Sequence, residues 1–368
     1  MKILEIIPVL DEGGAERFVT DLSNSLAKKH DVTLLLFYPI NLYGSLSKEL
    51  REVKLHSLEK SAGLSILCFF QLFRFIIKVK PDVVHSHLNS IVYLLFTIVL
   101  YRKPLYVHTI HNDAEKEAGG LLNRLVRKLL FRLGLVKPVT ISEESKLSFN
   151  RFYGFDAPMI YNGRLEYDFS NRFSAVEDEI NSLKYNPTSK VLVNVARISE
   201  QKNQQSLITS INELNEQGFC VELFIIGPYV DHTIEKNIKK ILTPHIHILG
   251  VRENPRDYML AADAFCLSSI YEGMPITLIE AFSVGVLPIC TPVGGIKNMI
   301  EHMKNGILCS GISKDSIKEG IVQFLNLTDD QVLELKTKSK ETYSRFSMPE
   351  CCSKYEDLMI QNTIKKKK

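Results

Sequence analysis

Short apolar runs alternate with stretches of helical periodicity along this chain, and the alternation happens twice. The first set is "KILEIIP", "DVTLLLF", "VKLHSL", "DVVHSH", "LYVHTIH" and "PVTIS". Helical patterns such as "AERFVTDLSNSLAKK" and "SIVYLLFTIVLYR" lie between several of them. Strands rich in Val and Ile, separated by helices, indicate a parallel sheet covered on both faces. Near Tyr161 the pattern pauses. "NGRLEYDFSNRFSAVEDEINSLKYNPTS" is polar and reads as a domain junction. A second set then follows: "KVLVNVA", "VELFIIG", "IHILG", "AFCLSS", "VLPICT" and "GILC". "SIKEGIVQFLN" and "DDQVLELKTKSKETYSRF" come after it as helices. The expected architecture is α/β, with two doubly wound Rossmann-like domains facing across a cleft. The expected boundaries are 1–165, 166–345, and a C-terminal helix with a lysine tail over 346–368 that crosses back to the first domain.

The charge balance narrows the function. A net charge of +3 does not suggest a nucleic-acid binder. Basic residues outnumber acidic ones up to about Gly163, and the chain ends in Lys365 to Lys368, so a basic face toward an anionic ligand or membrane is expected. The seven cysteines are scattered without a C-x-x-C pair, and adjacent Cys351 and Cys352 are badly placed to bridge. With no signal-peptide pattern before the first strand, a cytoplasmic protein is expected. "LSILCFFQLFRFIIKV" is broken by Gln71 and Arg74, and "IVYLLFTIVLY" has about eleven residues, too few to span a bilayer. Both read as helices, covering the two sides of a sheet.

Several loops at strand ends suit an anion. In "PVLDEGGAERF", Gly13 and Gly14 allow close backbone approach just before a helix whose first amides and dipole favour negative charge. The loop lacks G-x-G-x-x-G, which argues against a nicotinamide cofactor. In "NVARISEQKNQQSL", Arg197 and Lys202 bracket a loop after the first strand of the second domain. A guanidinium can clasp two phosphate oxygens and an ammonium supplies a point charge.

"YEGMPITLIEAFSVGVLPICTPVGG" carries Glu272 in a Gly/Pro turn and Glu280 eight positions later on a helix. Pro275 suits the first helical turn, and Met274 is a poor cap. The first amides of that helix are then open to ligand oxygens. One division of labour gives Glu272 sugar hydroxyls, the helix start a phosphate, and Glu280 a ribose. The alternative is a capping carboxylate and a solvated helix acid.

This segment resembles the E-x(7)-E donor-binding segment of the retaining glycosyltransferases of family 4, which have the GT-B fold. "GGAE", "VHTIHN", "YNG", and Arg197 with Lys202 fall in the family's order, so the resemblance covers nearly the whole chain. One departure is Ala196, where members often have Gly. The resemblance implies transfer of a sugar from a nucleotide diphosphate sugar, with a UDP-sugar the expected donor, to an acceptor hydroxyl with retention at the anomeric carbon. It implies Arg197 and Lys202 on the diphosphate, Glu280 on the ribose, and Glu272 on the donor sugar. Amides near Gly273, Met274, Ile276 and Thr277 would assist, and His111 would face the sugar. His108 is the weaker candidate. His85 and His87 read as structural or acceptor-facing. No metal and no cofactor beyond the donor are expected, since no D-x-D sits at a strand end and the histidines lack a metal-ligand pattern.

The first domain is then expected to bind the acceptor, a glycan or lipid-linked saccharide of surface polysaccharide assembly. In "LLNRLVRKLLFRL", Leu121, Leu122, Leu125, Val126, Leu129 and Leu130 share one face. Arg124, Arg127, Lys128 and Arg132, with Phe131, share the other, a basic face suited to an anionic membrane surface. A peripheral place on the inner face of the cell membrane follows as an expectation. A sugar-nucleotide epimerase or a catalytically silent sugar-nucleotide binding module remain the alternatives.

Overall fold

The computed structural model describes the chain except residues 12, 40–44, 62, 64, 168, 169 and 368. Two compact units emerge: residues 1–165 with 346–368, and residues 166–345.

The first unit holds a parallel sheet of β1 (Lys2–Ile7), β2 (Asp31–Leu36), β3 (Lys54–Ser57), β4 (Val83–His87), β5 (Leu105–Ile110) and β6 (Lys137–Thr140), ordered β3-β2-β1-β4-β5-β6. β1, β4 and β5 are buried at nearly every position because both sheet faces are covered. On one face Leu4, Ile6, Val84, Tyr106 and Ile110 pack with Leu72, Ile76, Leu94 and Ile98. Those last four come from helices Ile66–Val79 and Ser90–Leu100, the two lipophilic stretches. The helices therefore share one face of the sheet rather than covering one face each. Phe96 meets the rings of Phe70 and Phe73 at 5.5 and 5.3 Å, so part of the apolar excess goes into a helix–helix contact, while Ile66, Leu67, Val99 and Leu100 stay exposed. No described helix is long and apolar enough to cross a membrane.

On the opposite face, helix Gly14–Ala27 meets helix Met348–Lys367, with Phe18 and Tyr355 rings 6.0 Å apart. The final helix is anchored where its first residues return to the Gly163–Arg164 backbone. Arg164 N–H donates to Phe346 O at 3.0 Å, and Met348 N–H to Arg164 O at 2.8 Å. A Cβ on Gly163 would lie 2.6 Å from that of Cys351. Arg164 also pairs with buried Asp21.

Helix Leu121–Arg132 is oriented only in part as expected, with Leu130 of the leucine face buried. Leu121, Leu125 and Leu129 are exposed, while Arg127 and Phe131, assigned to an outward basic face, are buried. The guanidinium of Arg127 donates to Glu117 Oε1 (3.3 Å), Leu88 O (3.3 Å) and Asn89 Oδ1 (3.2 Å). Phe131 packs on the rings of Phe149 and Tyr153. Periodicity cannot tell which stripe of an amphipathic helix faces in when a buried carboxylate recruits the arginine. The side chain of Leu122 and all of Lys368 lie outside the described residues.

The second unit repeats the plan with β7 (Lys190–Val195), β8 (Val221–Ile226), β9 (Ile246–Gly250), β10 (Ala264–Leu267), β11 (Leu287–Cys290) and β12 (Ile307–Leu308), ordered β12-β11-β10-β7-β8-β9. Its core joins Leu192, Leu223, Ile225, Ala264 and Ile289 to Leu207, Ile211, Ile317 and Ile321 of the covering helices. The polar junction is not wholly irregular. It contains helix Phe173–Leu183, which buries Val176 and Ile180 at helical spacing.

Tyr355 is fully buried and its hydroxyl bonds Thr109 Oγ1 at 2.9 Å. Tyr355→Ala is expected to destabilise the first unit by about 3–5 kcal/mol through the cavity it leaves. Tyr355→Phe is expected to cost only about 1 kcal/mol. Hydrogen exchange of the β1 and β5 amides would read both; equal protection in both variants and the native protein would refute the anchoring role.

Candidate active site

Each sheet reverses its strand order once, between β1 and β4 and between β7 and β10. In doubly wound sheets the crevice outside the strands' carboxyl ends at that reversal is the ligand site. Arg197 follows β7 and Glu272 follows β10, while Gly13 and Gly14 follow β1 and His111 follows β5.

In the second unit, Arg197 is exposed just past Val195. Gly227, with φ +145°, lets the end of β8 close on this loop, since a Cβ there would lie 2.1 Å from Ala196 O. Lys202 ends a single 3-10 turn, Glu200–Lys202, whose last amide is bonded by Ser199 Oγ at 3.3 Å. Its Nζ reaches Glu272 Oε1 at 2.5 Å, and Ser269 Oγ donates to the same oxygen at 2.6 Å. Only 16% of the Lys202 side chain and 7% of that of Glu272 are exposed. Two residues seventy positions apart, assigned separately to phosphate and sugar, are thus one ion pair.

The glycine pair explains how Glu272 is held. Gly294 has φ +48°, and a Cβ on it would lie 1.7 Å from Glu272 O. Gly295 N–H donates to Gly273 O at 2.8 Å. The loop bearing Glu272 therefore rests on a backbone that tolerates no side chain at Gly294. Ser268 and Thr291 tie the neighbouring strand ends, donating to Lys202 O (2.8 Å) and Ser269 O (2.6 Å).

Helix Ile276–Val284 starts one residue later than expected. Pro275 is its N-cap, with extended backbone (φ −71°, ψ 120°), rather than a first-turn residue, and no side chain caps the helix. Met274 and Ile276 are buried and Thr277 is partly exposed. Glu280 is 5% exposed, which excludes the solvated helix acid.

In the first unit, Gly13 is the N-cap of helix Gly14–Ala27, and no side chain caps it. Glu16 lies in the first turn, with its carboxylate where a Gly13 Cβ would point. That carboxylate already complements the helix dipole, a competitor for an anion that the glycines alone do not reveal. His111, 6% exposed, is bonded through Nε2 to His87 Nδ1 at 3.0 Å and lies edge-on to Phe18. Its Nδ1 is buried with no partner among the described residues. Burial first, then neighbouring His87, holds the ring well below its usual range, so it is neutral. His108 points to the other face, meeting Ser86 Oγ (2.9 Å) and Glu117 Oε1 (3.5 Å).

Behind His111 lies a cluster that the sequence reading did not identify. Glu5 is fully buried and accepts from His87 Nε2 at 2.8 Å and His85 Nδ1 at 3.1 Å. His85 Nε2 meets Thr109 Oγ1 at 2.8 Å. Donor atoms of Glu5, His85 and His87 lie within 4.8 Å of one another, a grouping that could hold a metal ion, where sequence spacing alone suggested none. The available signal was an acid in the middle of an apolar strand, "KILEIIP", which only a buried partner makes tolerable.

The sequence profile described as "Glycosyl transferases group 1" matches residues 175–342, and that described as "Glycosyltransferase Family 4" matches residues 12–164. This chain is a glycosyltransferase. Among its relatives is the Escherichia coli "UDP-Gal:alpha-D-GlcNAc-diphosphoundecaprenol alpha-1,3-galactosyltransferase", 26% identical over 317 residues, covering 80% of this chain and 79% of that protein. Another is the Campylobacter jejuni "N-acetylgalactosamine-N,N'-diacetylbacillosaminyl-diphospho-undecaprenol 4-alpha-N-acetylgalactosaminyltransferase", 25% identical over 358 residues, covering 92% and 93%. The crystal structure of Anabaena HepE with UDP and glucose superposes with a TM-score of 0.82 at 17% identity, over 98% of this chain and all of that one. The fold is that of the GT-B glycosyltransferases.

In this glycosyltransferase, Gly294→Ala is expected to displace the Glu272 loop and abolish most turnover, at a cost of about 1–3 kcal/mol in stability. Unchanged turnover would show that the loop position is not required. Acid should weaken the first unit. Burial is the chief force holding His87 at about 3 and His108 at about 4, against an ordinary 6.5. Below pH 6.5 the unfolded chain takes up protons that the folded chain refuses, so stability is full above 6.5 and falls as pH drops toward 4 and 3. A denaturation midpoint equal at pH 7 and about pH 5 would contradict these buried neutral rings.

Proposed function

We propose that this glycosyltransferase binds a nucleotide diphosphate sugar in its second unit, with a UDP-sugar as donor. It transfers the sugar, with retention, to a hydroxyl of a lipid-linked saccharide. The observation that carries the reading is the Lys202–Glu272 pair beside the uncapped start of helix Ile276–Val284, at the strand-order reversal of the second sheet. The E. coli and C. jejuni relatives, both acting on diphosphoundecaprenol-linked sugars, support the acceptor class. The UDP in the HepE structure supports the nucleotide.

Arg197 clasps the diphosphate at the open rim. Lys202 has three donors, so it can bridge Glu272 and a phosphate oxygen without leaving the carboxylate. Glu272 thereby orients the lysine and keeps its second oxygen for donor-sugar hydroxyls, assisted by the backbone from Gly273 to Thr277. Glu280 accepts from the ribose. Cationic groups aimed at the leaving diphosphate stabilise charge as the anomeric bond breaks, with no metal needed. The departing diphosphate then takes the acceptor's proton on the same face, which gives retention without a glutamate nucleophile. In the first unit, His111 is the sugar-facing residue.

Arg197→Ala should weaken UDP binding by about 1.5–3 kcal/mol, roughly 10–150-fold, while leaving uridine binding nearly unchanged. Calorimetry with both ligands checks it, and equal losses would place Arg197 off the phosphates. Anomeric NMR of the product from an α-linked UDP-sugar tests the whole reading; a β-linked product would overturn retention.

The first unit docks on an anionic membrane through the exposed leucines of helix Leu121–Arg132, with Arg132 beside them. An apolar stripe entering the interface, flanked by cations, is the geometry of a peripheral helix. Leu125→Glu with Leu129→Glu should abolish flotation with anionic liposomes while sparing donor hydrolysis. Flotation equal to the native protein's would eliminate this face. Charge reversal at Arg127 would instead break its buried pair with Glu117 and test folding.

A further inference from the structure

We propose that Glu5 is a positioning residue: through His87 it fixes the tautomer of His111, leaving the Nδ1 lone pair of His111 to accept from a sugar hydroxyl. The inference rests on the proposed role of His111 and adds the residues that set its polarity.

The argument follows hydrogen-bond direction. An ionised carboxylate only accepts. Glu5 Oε2 is 2.8 Å from His87 Nε2 and 3.0 Å from His85 Nδ1, so both nitrogens carry protons. A neutral imidazole with one N–H presents a lone pair on its other nitrogen. His87 Nδ1 must therefore accept, and its partner at 3.0 Å, His111 Nε2, must donate. That places the remaining lone pair of the His111 ring on Nδ1, the atom left buried without a partner among the described residues. The opposite polarity would set two lone pairs against each other 2.8 Å apart between Glu5 and His87. On the second branch, His85 Nε2 is bonded to Thr109 Oγ1 at 2.8 Å, and Thr109 Oγ1 to the Tyr355 hydroxyl at 2.9 Å.

Strand register makes the arrangement rigid. Glu5 lies opposite His85 across the β1–β4 pair, and His87 lies opposite Thr109 across β4–β5. Glu5, His85, His87, Thr109 and His111 share one side of the sheet, where Phe18 and Tyr355 close over them. A buried acid in an apolar strand is costly. Here it sets a proton position in the ring that meets the substrate.

The test is to label the histidines of the full-length protein with 15N and read each ring's tautomer by two-bond 1H–15N correlation at neutral pH, without substrate. His111→Gln identifies the His111 signals. The expected result is a neutral His111 ring protonated at Nε2. An Nδ1–H tautomer or a doubly protonated ring would overturn the proposal, as would an equivalent of zinc in the purified protein, because a metal on Glu5, His85 and His87 would replace these hydrogen bonds. Glu5→Gln can both donate and accept, so it should give a second population with His111 protonated at Nδ1 and lower turnover about tenfold. An unchanged tautomer and rate would also overturn it. Should that variant not fold, the native measurement alone decides. Full turnover in His111→Gln, beside the expected native tautomer, would sink the sugar-facing role and leave the relay standing.

Discussion

A parallel strand cannot be followed by a tight hairpin, so every strand here hands its chain to a crossover. This constraint gathers the loops that follow strands along one edge of each sheet. Where the order reverses, neighbouring loops run apart and leave room for side chains from distant parts of the sequence. Lys202 and Glu272 meet by this means, one after β7 and the other after β10, on adjacent strands of the second sheet. Glu5, His87 and His111 meet likewise on β1, on β4 and just past β5. Both clusters lie at the strand-order reversal of their sheets, Lys202 and Glu272 in the loops beyond the strands and Glu5 and His87 on the strands themselves.

The clusters solve different electrostatic problems. Lys202 and Glu272 neutralise each other in partly accessible surroundings, where a ligand anion can still draw on the lysine. Glu5 has no such access. Burial disfavours its charge, but the electrostatic attraction of His85 and the hydrogen bonds from His85 and His87 outweigh this and hold its carboxyl below the usual range. A pair that a ligand can engage suits binding, whereas a closed network suits orientation.

The twelve strands were legible because each is a short, bounded apolar run and the runs repeat with helices between them. The E-x(7)-E segment was legible because a proline, a glycine pair and two acids have few structural excuses in common. Other features depend on direction rather than period. Helix Leu121–Arg132 shows the same pattern whether its leucines or its arginines face inward, and the deciding partner, Glu117, belongs to the preceding helix. The two lipophilic helices share a face because the crossover after β3 and the crossover after β4 both pass on the same side. Glu5 was visible as an anomaly in "KILEIIP", but its partners lie about eighty residues away, beyond the reach of local spacing.

The return of the last helix to the first unit bears on how the chain emerges from the ribosome. Domains ordinarily fold in order of synthesis. Here Tyr355, Met359 and Cys351 are buried parts of a unit whose strands were made first. Translating residues 166–345 delays the final helix by roughly 10–40 s at about 5–20 residues per second. During that interval Phe18 and the polar side of the first sheet lack their cover. The second unit, continuous in sequence, can close before the first is complete, and the nascent N-terminal half is the portion that a chaperone would have reason to hold.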